Sequence, residues 1–186
     1  MTTPIGDTRP MPDEAQLEDG KPVTGGWFVV NVRDAAWRRH DTFGAATRFE
    51  GQEGDFPELA INVRVLQPRQ PNGLYHREGV QEDFLVLAGE CLLLVEGEER
   101  RLQAWDFVHC PAGTDHIFVG AGEEPCAILM ISPRPEREIL HYPLSELARR
   151  HEAGAERETD SPEEAYAGYG FPQPGRPDGW EALPWA

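Results

Sequence analysis

His76 and Glu78 stand two residues apart in the stretch Gly73-Leu74-Tyr75-His76-Arg77-Glu78-Gly79-Val80-Gln81-Glu82. On an extended strand that spacing puts both side chains on one face. Glu82 follows Gly79, where the chain can bend and bring a second carboxylate alongside. Further on, Pro111-Ala112-Gly113-Thr114-Asp115-His116 opens a returning strand with another histidine. Imidazole nitrogen and carboxylate oxygen are the ligands of a divalent first-row metal. The set His76, Glu78, Glu82 and His116 therefore predicts one such ion per chain, as Fe, Mn or Zn. Glu78 has two readings. As a fourth ligand it adds a second negative charge, which tightens a divalent ion and favours a higher oxidation state. Outside the ligand set it leaves a two-histidine, one-carboxylate site with open positions and serves as a general base. The alternative to both is a metal-free cluster whose members only bind one another, at the expense of burying four ionisable groups.

Groups so far apart in sequence converge only if strands carry them together. Leu59 to Gln67 alternates, with Ile61, Val63 and Val65 on one face and Asn62, Arg64 and Leu66 on the other. Strands are also expected over Trp27–Val32, Ala45–Phe49, Glu82–Ala88, Cys91–Val95, Glu99–Leu102, Phe107–Cys110, His116–Val119 and Cys126–Ile131. Glu50 to Glu58 reads as a loop and Pro68 to Gly73 as a turn. Short strands with no helix between them predict an all-β antiparallel sandwich or barrel. Residues 1–25 are expected as a loosely ordered leader, 26–135 as the barrel and 136–186 as a helical and extended arm. In that arm Ser145 and Ser161 are helix caps, the second followed by Pro162. Trp180 and Trp185 are expected to anchor the arm to the barrel. Cys91 to Val95 is apolar on both faces. One face fills the barrel, and the other needs an arm or a second subunit, which predicts a homodimer.

The chain has 186 residues, enough for one domain with arms. With 17 Lys plus Arg against 33 Asp plus Glu, the formal net charge is −16. A surface so acidic repels phosphate backbones and anionic lipid, which argues against nucleic-acid and membrane-surface partners. No apolar run is long enough to span a bilayer, and Met1 to Pro10 shows no secretory signal. Cys91, Cys110 and Cys126 lie far apart in apolar stretches and read as reduced, buried thiols of a cytoplasmic protein. His109 reads as a structural histidine, and His40, His141 and His151 as solvent-facing. Asn62 and Arg64 would meet an anionic substrate if their face turned inward, but they are read as outward and solvated. Tyr75, Phe84, Phe118 and Met130 are expected as core.

The two motif stretches resemble the cupin superfamily. The first cupin motif runs Gly, five residues, His-x-His, three or four residues, Glu, six residues, Gly. Glu82 and Gly89 match its second half, and His76 matches the first histidine. Glu78 stands where the second histidine usually lies, and Gly73 is nearer than the leading glycine should be. The second motif runs Gly, five residues, Pro-x-Gly, two residues, His. Pro111, Gly113 and His116 fit, while Trp105 replaces its glycine, with Asp106 following. The resemblance implies a jelly-roll barrel with one mononuclear metal site, usually in a dimer. It supports an enzyme acting on a small organic molecule. Dioxygenase chemistry is favoured because open positions at Fe(II) suit both substrate and O₂. Zinc or manganese isomerase or lyase chemistry is the close alternative, and a non-catalytic ligand-binding or sensing module is the rival class.

Overall fold

In the computed structural model, which describes residues 13–51, 54, 56–137 and 139–186, every pairing between named strands is antiparallel. Two sheets make a jelly-roll barrel. The larger joins β10 (Phe107–Cys110), β7 (Glu82–Ala88), β12 (Cys126–Pro133), β5 (Leu59–Leu66), β4 (Gly44–Arg48), β3 (Trp37–His40) and β14 (Gln173–Pro174) in that order. The smaller joins β11 (His116–Ala121), β8 (Glu90–Val95) and β9 (Glu98–Gln103). Two small pairs complete it, β1 (Leu17–Glu18) with β2 (Lys21–Pro22), and β6 (Arg77–Glu78) with β13 (Leu140–His141). The expected strands from Leu59 to Ile131 all form, within a residue or two at their ends.

Cross-strand register shows which face is inside. Phe84, Met130 and Asn62 are partners across β7, β12 and β5, and Val86, Ile128 and Arg64 form the next row. Side chains directly opposite one another share a face. Phe84, Val86, Met130 and Ile128 belong to the interior cluster with Leu66, Leu93 and Phe118. Asn62 and Arg64 therefore face the barrel interior, which corrects the outward, solvated reading. Val63 and Val65 point to the outer face, where they pack with Trp37, Ala45 and Leu183.

The outer faces are covered by the chain itself. Trp180 and Trp185 pack on Trp37, with centroids 5.8 and 6.0 Å away, so the expected tryptophan anchors are present. Such ring pairs add about 0.5–1.5 kcal/mol each beyond area burial. On the smaller sheet, Leu92 and Leu94 meet Leu147, Ala148 and Ala153, in and just after α1 (Glu146–Arg150). The face that motivated a homodimer is thus covered by the chain's own arm. Ser145 Oγ accepts from Ala148 N–H, and Ser161 Oγ accepts from Glu164 N–H at the start of α2 (Pro162–Ala165), as the capping signals predict.

Four expectations need correction or a boundary. Trp27–Val32 is not a strand. Asn31 Oδ1 accepts from Arg33 N–H at 3.0 Å and caps a 3₁₀ turn over Val32–Asp34, while Val29 stays 74% exposed. The strand lies later, at β3, where Arg38 and Arg39 hide the pattern. Of the expected leader, residues 1–12 lie outside the described residues, and 17–22 form the β1–β2 hairpin. In the expected loop, residues 52, 53 and 55 also lie outside them. His40, His141 and His151 are partly buried and bonded, to Gly170 O, to Glu158 and Asp160, and to Glu99. His109 bonds Asp83 at 2.6 Å, and the three cysteines are free and buried.

Trp105 has φ 77°, the left-handed conformation that glycine adopts without strain, and its ring is 74% exposed. The tryptophan has replaced the motif glycine, but the backbone keeps the glycine conformation.

Candidate metal centre

The two histidines are placed by backbone pairing. His76 and His116 form an antiparallel bridge and exchange both hydrogen bonds, His116 N–H to His76 O at 2.8 Å and His76 N–H to His116 O at 3.2 Å. Their rings lie side by side, 5.2 Å between centroids. Glu82 opens β7 in the inward row of Phe84 and Val86. Gly113, at φ 86°, donates its N–H to Glu78 O at 2.7 Å, which ties β6 to the turn before His116. Phe84 packs 5.3 Å from the His116 ring and Tyr142 stacks 5.8 Å from that of His76, so both rings are held in place.

Second contacts decide the tautomers. His76 Nδ1 lies 2.8 Å from Leu74 O and His116 Nδ1 lies 3.1 Å from Thr114 O. A carbonyl only accepts, so each Nδ1 carries the proton and each Nε2 presents a lone pair. His116 Nε2 is 3.3 Å from Glu82 Oε2, and His76 Nε2 is 3.7 Å from Glu78 Oε1. One ligand atom each from His76, Glu82 and His116 lies within 4.8 Å of the others. Glu78 reaches His76 but stands outside that group of three.

Lone pairs and carboxylate oxygens repel one another unless a cation lies among them. Protons are the substitute. Burial, reinforced by the charge of Glu78, pushes the Glu82 carboxyl up to about 7 despite the nearby His76. Burial would lower His76, but the bond to Glu78 and the charges of Glu82 and Glu78 outweigh it and raise the imidazole. Burial and the neighbouring His76 lower His116 to about 4. A divalent ion would replace these protons with one charge centre, and the donor set fits it. His76, Glu82 and His116 would hold the ion, and Glu78 lies close enough to His76 to join them or to act beside them.

A cavity of about 440 Å³ meets this cluster through Glu78, with Asn62, Arg48 and Ser132 among its walls. Among the described residues Asn62 Oδ1 is buried without a partner, an acceptor available to a ligand donor. Sequence reasoning assigned no role to Arg48 or Tyr142. Neither carries a motif, and only the folded chain brings them to the site.

Residues 62–132 match the family model of the cupin domain. Among solved structures, a cupin-superfamily sugar phosphate isomerase from Silicibacter pomeroyi is 20% identical with a TM-score of 0.55, over 62% of this chain and 81% of that one. The polyketide cyclase RemF from Streptomyces resistomycificus is 14% identical with a TM-score of 0.51, over 59% and 82% of the two chains. An uncharacterised double-stranded β-helix protein from Klebsiella pneumoniae is 18% identical with a TM-score of 0.50, over 60% and 95%. At these identities the likeness is one of fold. No protein of curated function matches the chain in sequence. The central strands of this chain thus match the cupin domain over residues 62–132, and its jelly-roll is the fold of these structures.

Proposed function

We propose that this cupin is a mononuclear divalent-metal enzyme acting on a small organic molecule, with His76, Glu82 and His116 as the protein ligands. The observation that carries the reading is the pair of histidines whose Nδ1 protons are both tied to backbone carbonyls, leaving two Nε2 lone pairs beside the Glu82 carboxylate. Three protein ligands would leave open positions. At iron those positions support dioxygenase chemistry, which we favour. Glu78 lies between His76 and the 440 Å³ cavity, where it would take or give a proton on a bound substrate. That placement supports a second reading, a zinc or manganese isomerase or lyase. The three buried free thiols suit a reducing cytoplasmic setting. A homodimer is part of the proposal. The edge strand β10 offers an exposed Phe107, with Trp105 just before it, as an apolar surface for a second copy.

Elemental analysis of protein purified without chelator tests the metal. About one Fe, Mn or Zn per chain is expected. Background levels of all three, together with no uptake on dialysis against each, would refute it. Oxygen consumption by the iron-loaded protein with a panel of phenolic and dicarbonyl compounds separates the two readings. Solvent-proton exchange into substrate without oxygen uptake would support the isomerase or lyase.

A further inference from the structure

A second cavity, of about 490 Å³, lies between the inward face of β5 and the arm, and includes none of the candidate metal ligands. Residues far apart in sequence build it: Phe43 after β3, Arg64 on β5, Asn72 before the first motif, and Tyr166, Tyr169 and Phe171 from the arm. The rings form a box. Phe43 stands edge-on to Tyr166 at 5.4 Å and 4.7 Å from Tyr169, and the two tyrosines are 6.0 Å apart. The box is fastened to the barrel. Tyr166 Oη accepts from Leu74 N–H at 2.9 Å, His40 Nε2–H donates to Gly170 O at 2.9 Å, and Arg38 donates to Pro172 O at 2.6 Å. Thr42 and Phe43 N–H both bond His40 Nδ1, so that imidazole carries its proton on Nε2.

Arg64 is the feature the box does not explain. Its side chain faces inward, its Nε is buried without a partner, and one Nη donates to Phe43 O at 3.3 Å. Among the described residues no carboxylate lies within ion-pair distance of it. Burial lowers the guanidinium to about 10, with the Tyr166 phenol opposing the fall and Arg48 adding to it, so the group remains charged at neutral pH. A buried, unpaired guanidinium is unfavourable unless a ligand brings the missing anion. A planar carboxylate offers two oxygens to the guanidinium fork. Among the described residues the only acid in the lining, Glu163, is exposed and would repel a second negative charge there.

We propose that this cavity binds a small aromatic monocarboxylate, its carboxylate on Arg64 and its ring among Phe43, Tyr166 and Tyr169. None of the candidate metal ligands lines this cavity, although Tyr166 meets Tyr142, which stacks on His76, and the proposed binding requires no metal.

Calorimetric titration with benzoate, on the full chain as purified and after removal of metal by chelator, tests the proposal. Benzoate is expected to bind both forms equally. Benzamide, isosteric but neutral, is expected to bind about tenfold or more weakly, since a charge-assisted bond is lost. Arg64→Gln should weaken benzoate by a similar factor, and Arg64→Lys should restore part of it. Phe171→Ala, at a ring 88% exposed, leaves the fold intact and should weaken benzoate only a few-fold. No benzoate binding by either form overturns the proposal. So does binding unchanged in Arg64→Gln, or binding that vanishes with the metal, since the carboxylate would then sit on the ion. Because the apo protein is measured directly, this test fails or succeeds independently of whether the metal centre is catalytic.

Discussion

The barrel handles buried charge in two ways. At the candidate metal centre, His76, Glu82 and His116 face one another and can trade protons, so the cluster stays tolerable without an ion. At the second cavity, Arg64 faces aromatic rings, and a guanidinium has no such freedom, because it stays protonated throughout the physiological range. The first region can be loaded or emptied with modest consequences for the fold. The second is complete only when something negative arrives from outside. Both regions read as polar residues on strand faces, yet one is self-compensating and the other is not.

The largest effect should come from breaking the first region. His116→Ala removes one of the three proposed ligands, and bound metal should drop from about one ion per chain to background by elemental analysis. Unchanged metal content would remove His116 from the site. Glu78→Gln sharpens the same region. It lies outside the group of three, so metal content should hold, while turnover falls roughly 10²–10⁴-fold as general acid–base help is lost. A parallel collapse in metal affinity would instead make Glu78 a ligand.

Proton linkage provides the next test. In metal-free protein the Glu82 carboxyl is raised to about 7 and His76 is also raised. Both contribute stability that is fully present below their unfolded values and is lost as pH rises through the folded ones. His116, lowered to about 4, contributes in the opposite sense, and its share is lost as pH falls from its unfolded value toward 4. The melting temperature of chelated protein should therefore decline as pH rises past neutrality. Metal-loaded protein should show no such decline, because the ion takes the place of those protons. Parallel pH profiles for the two forms would contradict the proton-for-metal exchange.

Arg64→Met breaks the second region. Without ligand, replacing an unpaired buried cation by an apolar chain of similar length should leave stability unchanged or raise it by about 1 kcal/mol, read by denaturant unfolding. A loss of several kcal/mol would mean that the chain itself already neutralises Arg64. The smallest effect is expected at Trp105→Gly. Measured on dilute, monomeric protein, relief of the left-handed strain, less the greater entropy of unfolded glycine, should stabilise by about 0.5 kcal/mol. Destabilisation would show that the exposed ring has a partner.

The sequence made the centre of the fold legible because glycine and proline punctuate it. Gly89, at φ 70°, turns β7 into β8, and a Cβ there would come within 2.6 Å of Pro125 O. Gly97 and Gly113 mark the next turns, and the strands between them fell where expected. The apolar run Trp27–Val32 misled because strand-forming residues need a neighbouring strand, and Asn31 offers a local turn instead. Alternation along β5 separated Asn62 and Arg64 from Val63 and Val65, but alternation alone does not say which face is inside. Both are buried here, one by the barrel and one by the tryptophan arm, so the usual preference for polar residues outside pointed the wrong way. His76, Glu82 and His116 were legible as a set through their motifs. The aromatic box was not, since it joins Phe43, Arg64 and the region after Ser161 only in three dimensions.

The exchange of hydrogen bonds between His76 and His116 makes their spacing a property of the backbone rather than of side-chain rotamers. The two imidazoles then behave as the fixed jaws of a gauge. An ion of larger or smaller radius cannot be met by spreading or closing them, because that would stretch a strand pairing. The adjustment would fall to Glu82, whose carboxylate can offer one oxygen or two. Discrimination between metals of different size would then reside in the freedom of a single carboxylate, and stiffening that carboxylate would narrow the range of ions the site accepts.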